Sequence, residues 1–234
     1  MIPIYGFYHI GTLSYWKDIV SSQIEKLQTS GLYDQTEKIF YSVHGIDYKL
    51  DLEKAERIHY RDKLPLDKCQ VEYPILNYMR EFCKETECLI WYIHTKGNSH
   101  PPDLKERMEA WRNYMEYFVI HHHESCQELL YNTNEWQGPP GEGYDAVGTD
   151  LSSLPSRHFS GNFWWSKSSY ISKLPYLDES VVTPIGCELW IGQGKGTLAG
   201  LHHAHTDFYH KIYPELMYIE EDPNILRLQT YTII

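Results

Sequence analysis

Four stretches of this 234-residue chain carry side chains suited to chemistry. The first is His94-Thr95-Lys96-Gly97, which closes the apolar run 88–93. Lys96 is a compact cation able to neutralise phosphate oxygens, and Gly97 lets a ligand approach the backbone. Thr95 adds a hydroxyl, while His94 can donate, accept, move a proton or bind a metal. The plainer alternative is a surface turn ended by glycine. The second stretch is Phe159-Ser160-Gly161-Asn162-Phe163-Trp164-Trp165. Strand alternation sends Trp164 and Trp165 to opposite faces, so one can pack in the core while the other walls a ligand. Asn162 can bond a hydroxyl-rich ligand through its amide; the alternative is that both indoles simply pack. The third is Glu188, in the run Ile185-Gly186-Cys187-Glu188-Leu189-Trp190-Ile191-Gly192. A carboxylate in apolar surroundings is costly unless paired or used, and it suits a general base. A helix cap or a surface ion pair would also account for it. The fourth is His203, His205 and Asp207, which share a face if extended and are acceptable ligands for a divalent cation. His121-His122-His123, by contrast, sits in a helical pattern where consecutive residues diverge by about 100°, so the three cannot all ligate one metal.

Elements that would position these groups follow from the hydrophobic pattern. Residues 2–8 read as a first strand and 14–29 as a helix, with Trp16, Ile19, Val20, Ile24 and Leu27 at helical spacing and Gly31 as its stop. Residues 38–43 and, more weakly, 56–60 read as strands, 72–84 as a helix and 88–93 as a buried strand. Asp103 and Glu106 start a helix running to about 130, and 132–143 is a Gly/Pro-rich turn region. Short strands are expected over 144–149 and 159–165, then a short helix over 168–174. Alternating strands and helices predict an α/β fold with a mainly parallel central sheet flanked by helices. No interdomain linker interrupts the chain, so residues 1–234 are expected to form one domain.

Composition narrows the function classes. A formal net charge of −11 argues against a protein that grips a nucleic-acid polymer. It leaves room for a small anion held by local donors. Five cysteines with no Cys-x-x-Cys pair predict reduced thiols and a cytoplasmic location. No apolar run is long enough for a transmembrane segment.

Taken in order, Tyr92-Ile93-His94-Thr95-Lys96-Gly97, the Gly161-Asn162-Phe163-Trp164-Trp165 stretch with Lys173-Leu174-Pro175, and Glu188-Leu189-Trp190-Ile191-Gly192 resemble small glycosyltransferase-like proteins of the GT-A fold. Relatives of that type occur in bacterial polysaccharide loci and in large DNA viruses. The resemblance covers about residues 1–192. It implies a nucleotide-binding half over about 1–100 and an acceptor and sugar half, with tail, over about 101–234. The nucleotide-sugar donor would then lie near Tyr8, His9, Thr12, His94, Thr95, Lys96 and Gly97, with Asp47 or Arg61 close by. Asn162, Trp164 and Trp165 would border the sugar and the glycan acceptor, and Glu188 would deprotonate the acceptor hydroxyl. The family's Asp-x-Asp metal motif is replaced here by His94-Thr95-Lys96. Either Lys96 neutralises the diphosphate directly, or a divalent metal (Mn or Mg) is held by His94 with His205 and Asp207. Two alternatives stand beside transfer: a sugar- or nucleotide-binding protein without catalysis, and a metal-dependent hydrolase built on His203, His205 and Asp207.

Overall fold

A computed structural model describes residues 2–58, 72–97, 100–131, 143–178, 183–219 and 232–233. Arg61 and most of the 132–143 turn region lie outside these. The first strand, β1 (Ile4–Gly11), runs longer than the pattern suggested and carries His9 into the sheet. It is followed by helix α1 (Trp16–Thr29), the short turn α2 (Leu32–Gln35), β2 (Thr36–His44), β3 (Ala55–Arg57), α3 (Tyr73–Glu85) and β4 (Leu89–His94). Next come α4 (Lys105–Glu116) and α5 (His123–Tyr131), then β5 (Ala146–Gly148) and the hairpin β6 (Leu151–Ser152) and β7 (His158–Phe159). The chain continues through β8 (Trp164–Lys167), α6 (Ser168–Ile171), α7 (Pro184–Glu188), β9 (Leu198–Gly200) and β10 (Thr232–Ile233).

All strands but β6 and β7 join one sheet in the order β10-β9-β5-β8-β4-β1-β2-β3. The β3-β2-β1-β4 half is wholly parallel, as βαβ alternation requires. Beyond β4 the sheet is mixed. β8 is antiparallel to both β4 and β5, while β9 returns parallel to β5. The strand expected over 159–165 is two strands, because Gly161 and Asn162 adopt left-handed backbone and turn the chain between β7 and β8.

Period-two alternation divides the core between the two faces of the sheet. Tyr8, Ile10, Trp91, Ile93 and Trp165 point to one face, against Val20, Leu27, Met115 and Phe118 of the helices. Phe7, Phe40, Ile90, Tyr92 and Trp164 point to the other, against Ile75, Leu76 and Met79 of α3. Trp91 pairs with Gly6 across β1 and β4, and a Cβ at Gly6 would run into the Trp91 indole, so the glycine makes room for the largest core side chain of β4. The helix expected from 103 to about 130 is interrupted by one π-helical turn, Tyr117–His121. Within that turn the Val119 carbonyl accepts a hydrogen bond from Trp165 Nε1 at 2.8 Å. Tertiary packing thus outweighs the regular helical ladder there.

Strand order fixes where a site belongs. From β1 the chain steps outward to β2 and β3, then returns to place β4 on the opposite side of β1. The β1/β4 boundary is therefore a topological switch point, and ligands bind such sheets at the carboxyl edge of that boundary.

Candidate functional site

A cleft of about 230 Å³ opens at that edge. Its walls include His9 and Gly11 from β1, His44 from β2, His94 to Gly97 after β4, Glu72, Asn162 and Glu188. Leu13, Pro184, Ile185, His100 and Tyr209 complete the lining.

The centre of the cleft is Glu72, a residue the hydrophobic pattern marked only as a helix start. It sits immediately before α3, with Pro74 in the first turn. One carboxylate oxygen, Oε2, accepts from Tyr92 Oη and from Asn162 Nδ2, each at 2.6 Å. The other, Oε1, lies 3.5 Å from His94 Nδ1. Burial raises the Glu72 carboxyl above its ordinary range, opposed by His9 when that ring is protonated and by the Tyr92 hydrogen bond. A signal was present: a Glu one residue ahead of a Tyr-Pro helix start, where the positive end of the helix dipole favours a carboxylate.

His94 Nε2 faces the Gly161 carbonyl at 2.9 Å. Because a carbonyl only accepts, that nitrogen carries the proton and Nδ1 turns a lone pair toward Glu72. Glu188 Oε1 accepts the Gly161 N–H at 2.6 Å. Gly161 is thus clasped at its carbonyl by His94 and at its N–H by Glu188. Burial lowers both His94 and His9 from 6.5 to about 4, so both rings are neutral at pH 7. His9 Nδ1 meets Ser42 Oγ at 2.8 Å. Burial also lowers His44 and His100.

The 94–97 turn is held from behind. Gln23 Nε2 donates to the His94 carbonyl, Arg112 Nη1 to the Lys96 carbonyl and Tyr15 Oη to the Gly97 carbonyl, at 3.1, 3.1 and 2.9 Å. Lys96 Nζ lies 4.1 Å from the Trp111 ring centroid, a cation–π contact that places the charge at the cleft wall. Thr95 Oγ1 accepts the Gly11 N–H at 2.8 Å, so its hydroxyl ties β1 to the turn.

Several expected site residues do other work. Tyr8 is fully buried and donates to Gln23 Oε1 at 2.6 Å, a core contact and not a donor-site wall. Thr12 Oγ1 donates to the His44 carbonyl at 2.9 Å and accepts the Ile46 N–H, pinning the turn after β2. Trp164 and Trp165 do point to opposite faces, but both are fully buried, so neither indole walls the cleft. Asn162 lines it, with its amide committed inward: Nδ2 to Glu72, and Oδ1 accepting from Trp164 Nε1 at 2.8 Å. Asp47 is exposed and pairs with Arg57.

The proposed metal ligands are not assembled. His94 faces the first cleft, whereas His203 and His205 line a separate depression with Tyr213 and Met217. His203 Nδ1 is bonded to Asp150 Oδ1 at 2.6 Å, and Asp207 to His210 at 2.8 Å. Among the described residues no three His, Cys, Asp or Glu side chains converge to hold a metal ion. The donor set of His94, His205 and Asp207 therefore does not fit a Mn or Mg site. His203 and His205 lie side by side, ring centroids 4.1 Å apart, while Asp207 is turned to His210. Among the described residues no helix is long and apolar enough to cross a membrane.

Residues 9–179 match a family described as a domain of unknown function, DUF8361, and the chain belongs to that family. The matched span carries every cleft residue from His9 to Asn162, while Glu188 and Tyr209 come from beyond it. No curated protein matches the chain.

Proposed function

We propose that this protein transfers a sugar from a nucleotide-diphosphate donor to a glycan hydroxyl, in the manner of a GT-A-type glycosyltransferase. The observation that carries the reading is one cleft, at the switch point of an α/β sheet, in which a lysine and two carboxylates face the same space. Transfer needs positive charge where the diphosphate departs and a base beside the attacking hydroxyl. Lys96 meets the first need, carried on a turn that Gly97 lets pack closely against Met108 of α4. Glu188 meets the second, its carboxylate oriented by the Gly161 N–H. The neutral imidazoles of His9 and His94 add hydrogen-bonding groups without adding charge.

A second reading, binding without catalysis, draws support from the engagement of Glu188 Oε1 and Asn162 by the protein itself. One set of experiments separates the two. Thermal unfolding is followed with UDP-, GDP- and TDP-sugars, with and without manganese. A donor at a hundred times its dissociation constant stabilises by about 2.7 kcal/mol, a rise of roughly 5–10 °C for a chain this long. Lys96→Met should remove that rise. Glu188→Gln should keep it while slowing transfer by a factor on the order of 10²–10⁴. No shift with any donor overturns both readings; a shift without transfer by the wild-type protein favours binding alone.

A further inference from the structure

Two hydrogen-bond acceptors face each other in the cleft. Glu72 Oε1 and His94 Nδ1 are 3.5 Å apart, on side chains 14% and 12% exposed, and both residues line the cleft. The second polar atom of each group is committed elsewhere. Glu72 Oε2 accepts from Tyr92 Oη and from Asn162 Nδ2, each at 2.6 Å, and His94 Nε2 donates to the Gly161 carbonyl at 2.9 Å. The partners are themselves fixed. Trp164 Nε1 donates to Asn162 Oδ1 at 2.8 Å, and the Trp164 ring stacks on Tyr92 with centroids 5.1 Å apart. Phe163 meets the His94 ring edge-on, also at 5.1 Å. Both acceptors are thus held in place, and an ionised Glu72 and an Nε2-protonated His94 cannot donate to one another.

The donors that fit such a pair must come from a ligand, and the cleft narrows their type. A phosphate or carboxylate is repelled by Glu72 and drawn to Lys96 in the same cleft. An ammonium group is repelled by Lys96 and is costly to desolvate. Neutral hydroxyls meet neither obstacle. Two hydroxyl oxygens on adjacent ring carbons lie about 3 Å apart when staggered gauche, close to the spacing of the two acceptors.

We propose that Glu72 Oε1 and His94 Nδ1 bind a vicinal diol, each accepting from one hydroxyl of a sugar ring. The inference rests on the transfer reading and divides the donor along the cleft, with its charge at Lys96 and its hydroxyls at Glu72 and His94. Glu72 is then a binding residue, and the role of base stays with Glu188. Hydrogen bonds donated to Oε1 favour the ionised carboxylate and oppose the effect of its burial. A nucleotide-sugar carries such diols in two places, on the ribose and on the transferred sugar.

Isothermal titration of the full-length protein separates the two sources. UDP-glucose and GDP-mannose are each compared with the analogue lacking the ribose 2′-hydroxyl and with the analogue lacking the sugar 3-hydroxyl, which belongs to both vicinal pairs of that ring. One of the two deletions should weaken binding by about 10–100-fold, and the one that does so identifies the diol. Glu72→Gln is the matching change in the protein. Because Tyr92 and Asn162 both donate to the atom at Oε2, the new amide oxygen takes that place. The amide nitrogen then replaces Oε1, setting a donor opposite His94 Nδ1 and closing both acceptors. In that variant the gap between parent and analogue should shrink to less than about threefold. Lys96→Met should instead weaken parent and analogue alike. A gap left intact by Glu72→Gln means a purely structural carboxylate and overturns the proposal. Equal binding of a parent and both its analogues by the wild-type protein overturns it too, while leaving the transfer reading standing; that comparison needs no variant to fold. No binding of either parent overturns the two together.

Discussion

Glu116→Leu is the substitution whose effect can be worked furthest from the structure. Glu116 is fully buried at the end of α4. Its Oε2 accepts from Lys26 Nζ at 2.5 Å and its Oε1 from Gln23 Nε2 at 2.7 Å, with Arg112 Nε at 3.7 Å. Removing the carboxylate leaves two cations facing an apolar side chain. Lys26 is 22% exposed and can turn toward water, but the Arg112 side chain is only 6% exposed and has no such route. Breaking a buried pair by deleting one partner costs about 3–5 kcal/mol; the partial escape of Lys26 puts this case near the lower end, at about 3. For a chain of this length that lowers the melting temperature by roughly 6–12 °C. Gln23 and Arg112 also hold the His94 and Lys96 carbonyls, so the same change should loosen the turn that presents Lys96. Urea denaturation monitored by tryptophan fluorescence measures the loss. A double-mutant cycle with Lys26→Met should return a coupling energy of about 1 kcal/mol or more. A loss below about 1 kcal/mol for Glu116→Leu would refute the reasoning.

Two other predictions concern the cleft itself. His9 and His94 titrate near 4 in the folded protein and near 6.5 when unfolded. The unfolded chain therefore binds their protons first, and stability falls as pH drops from 6.5 toward 4, by about 1.4 kcal/mol per unit for each ring. The raised Glu72 carboxyl has the opposite sign: its contribution is present at low pH and is lost as pH rises through its folded value. Urea midpoints taken across that window should slope downward toward acid, with about half the histidine part absent in His94→Gln; a flat profile sinks the assignment. Gly161→Ala should cost about 2–3 kcal/mol, because a side chain at φ 86° is strained and its Cβ would collide with the Met115 sulfur. Thermal unfolding checks this, and wild-type stability in the variant would mean that the turn is not held as described.

The parallel half of the sheet was readable because its strands are buried on both sides and its helices are amphipathic, so periodicity alone separates them. β1, α1, β2, α3 and β4 all appear within a few residues of the expected bounds. The second half was less readable for identifiable reasons. The π-helical turn at 117–121 has the composition of an ordinary helix, and its irregularity belongs to the packing of Trp165 against Val119. The run 159–165 looks like one strand by composition. It is divided by the left-handed backbone at Gly161 and Asn162, and asparagine adopts that conformation at little cost.

For the site, residue type identified which groups belonged to the cleft better than it identified what each would touch. His94, Lys96, Gly97, Asn162 and Glu188 all line one space, although they come from separate parts of the chain. Tyr8, Thr12, Trp164 and Trp165 are equally polar-tipped or aromatic, yet their polar atoms are spent on the protein. Nothing in a single sequence distinguishes a hydroxyl or indole with an internal partner from one that waits for a ligand; only the fold supplies the partner. Glu72 shows the converse. By itself it is a charged residue at a helix start, the commonest place for one. It becomes the centre of the cleft only because α3 brings it under Tyr92, Asn162 and His94, which are 20, 90 and 22 positions away in sequence. Those partners hold a buried carboxyl beside a buried imidazole, and burial raises the first while lowering the second, so the same desolvation pushes both groups toward their uncharged forms.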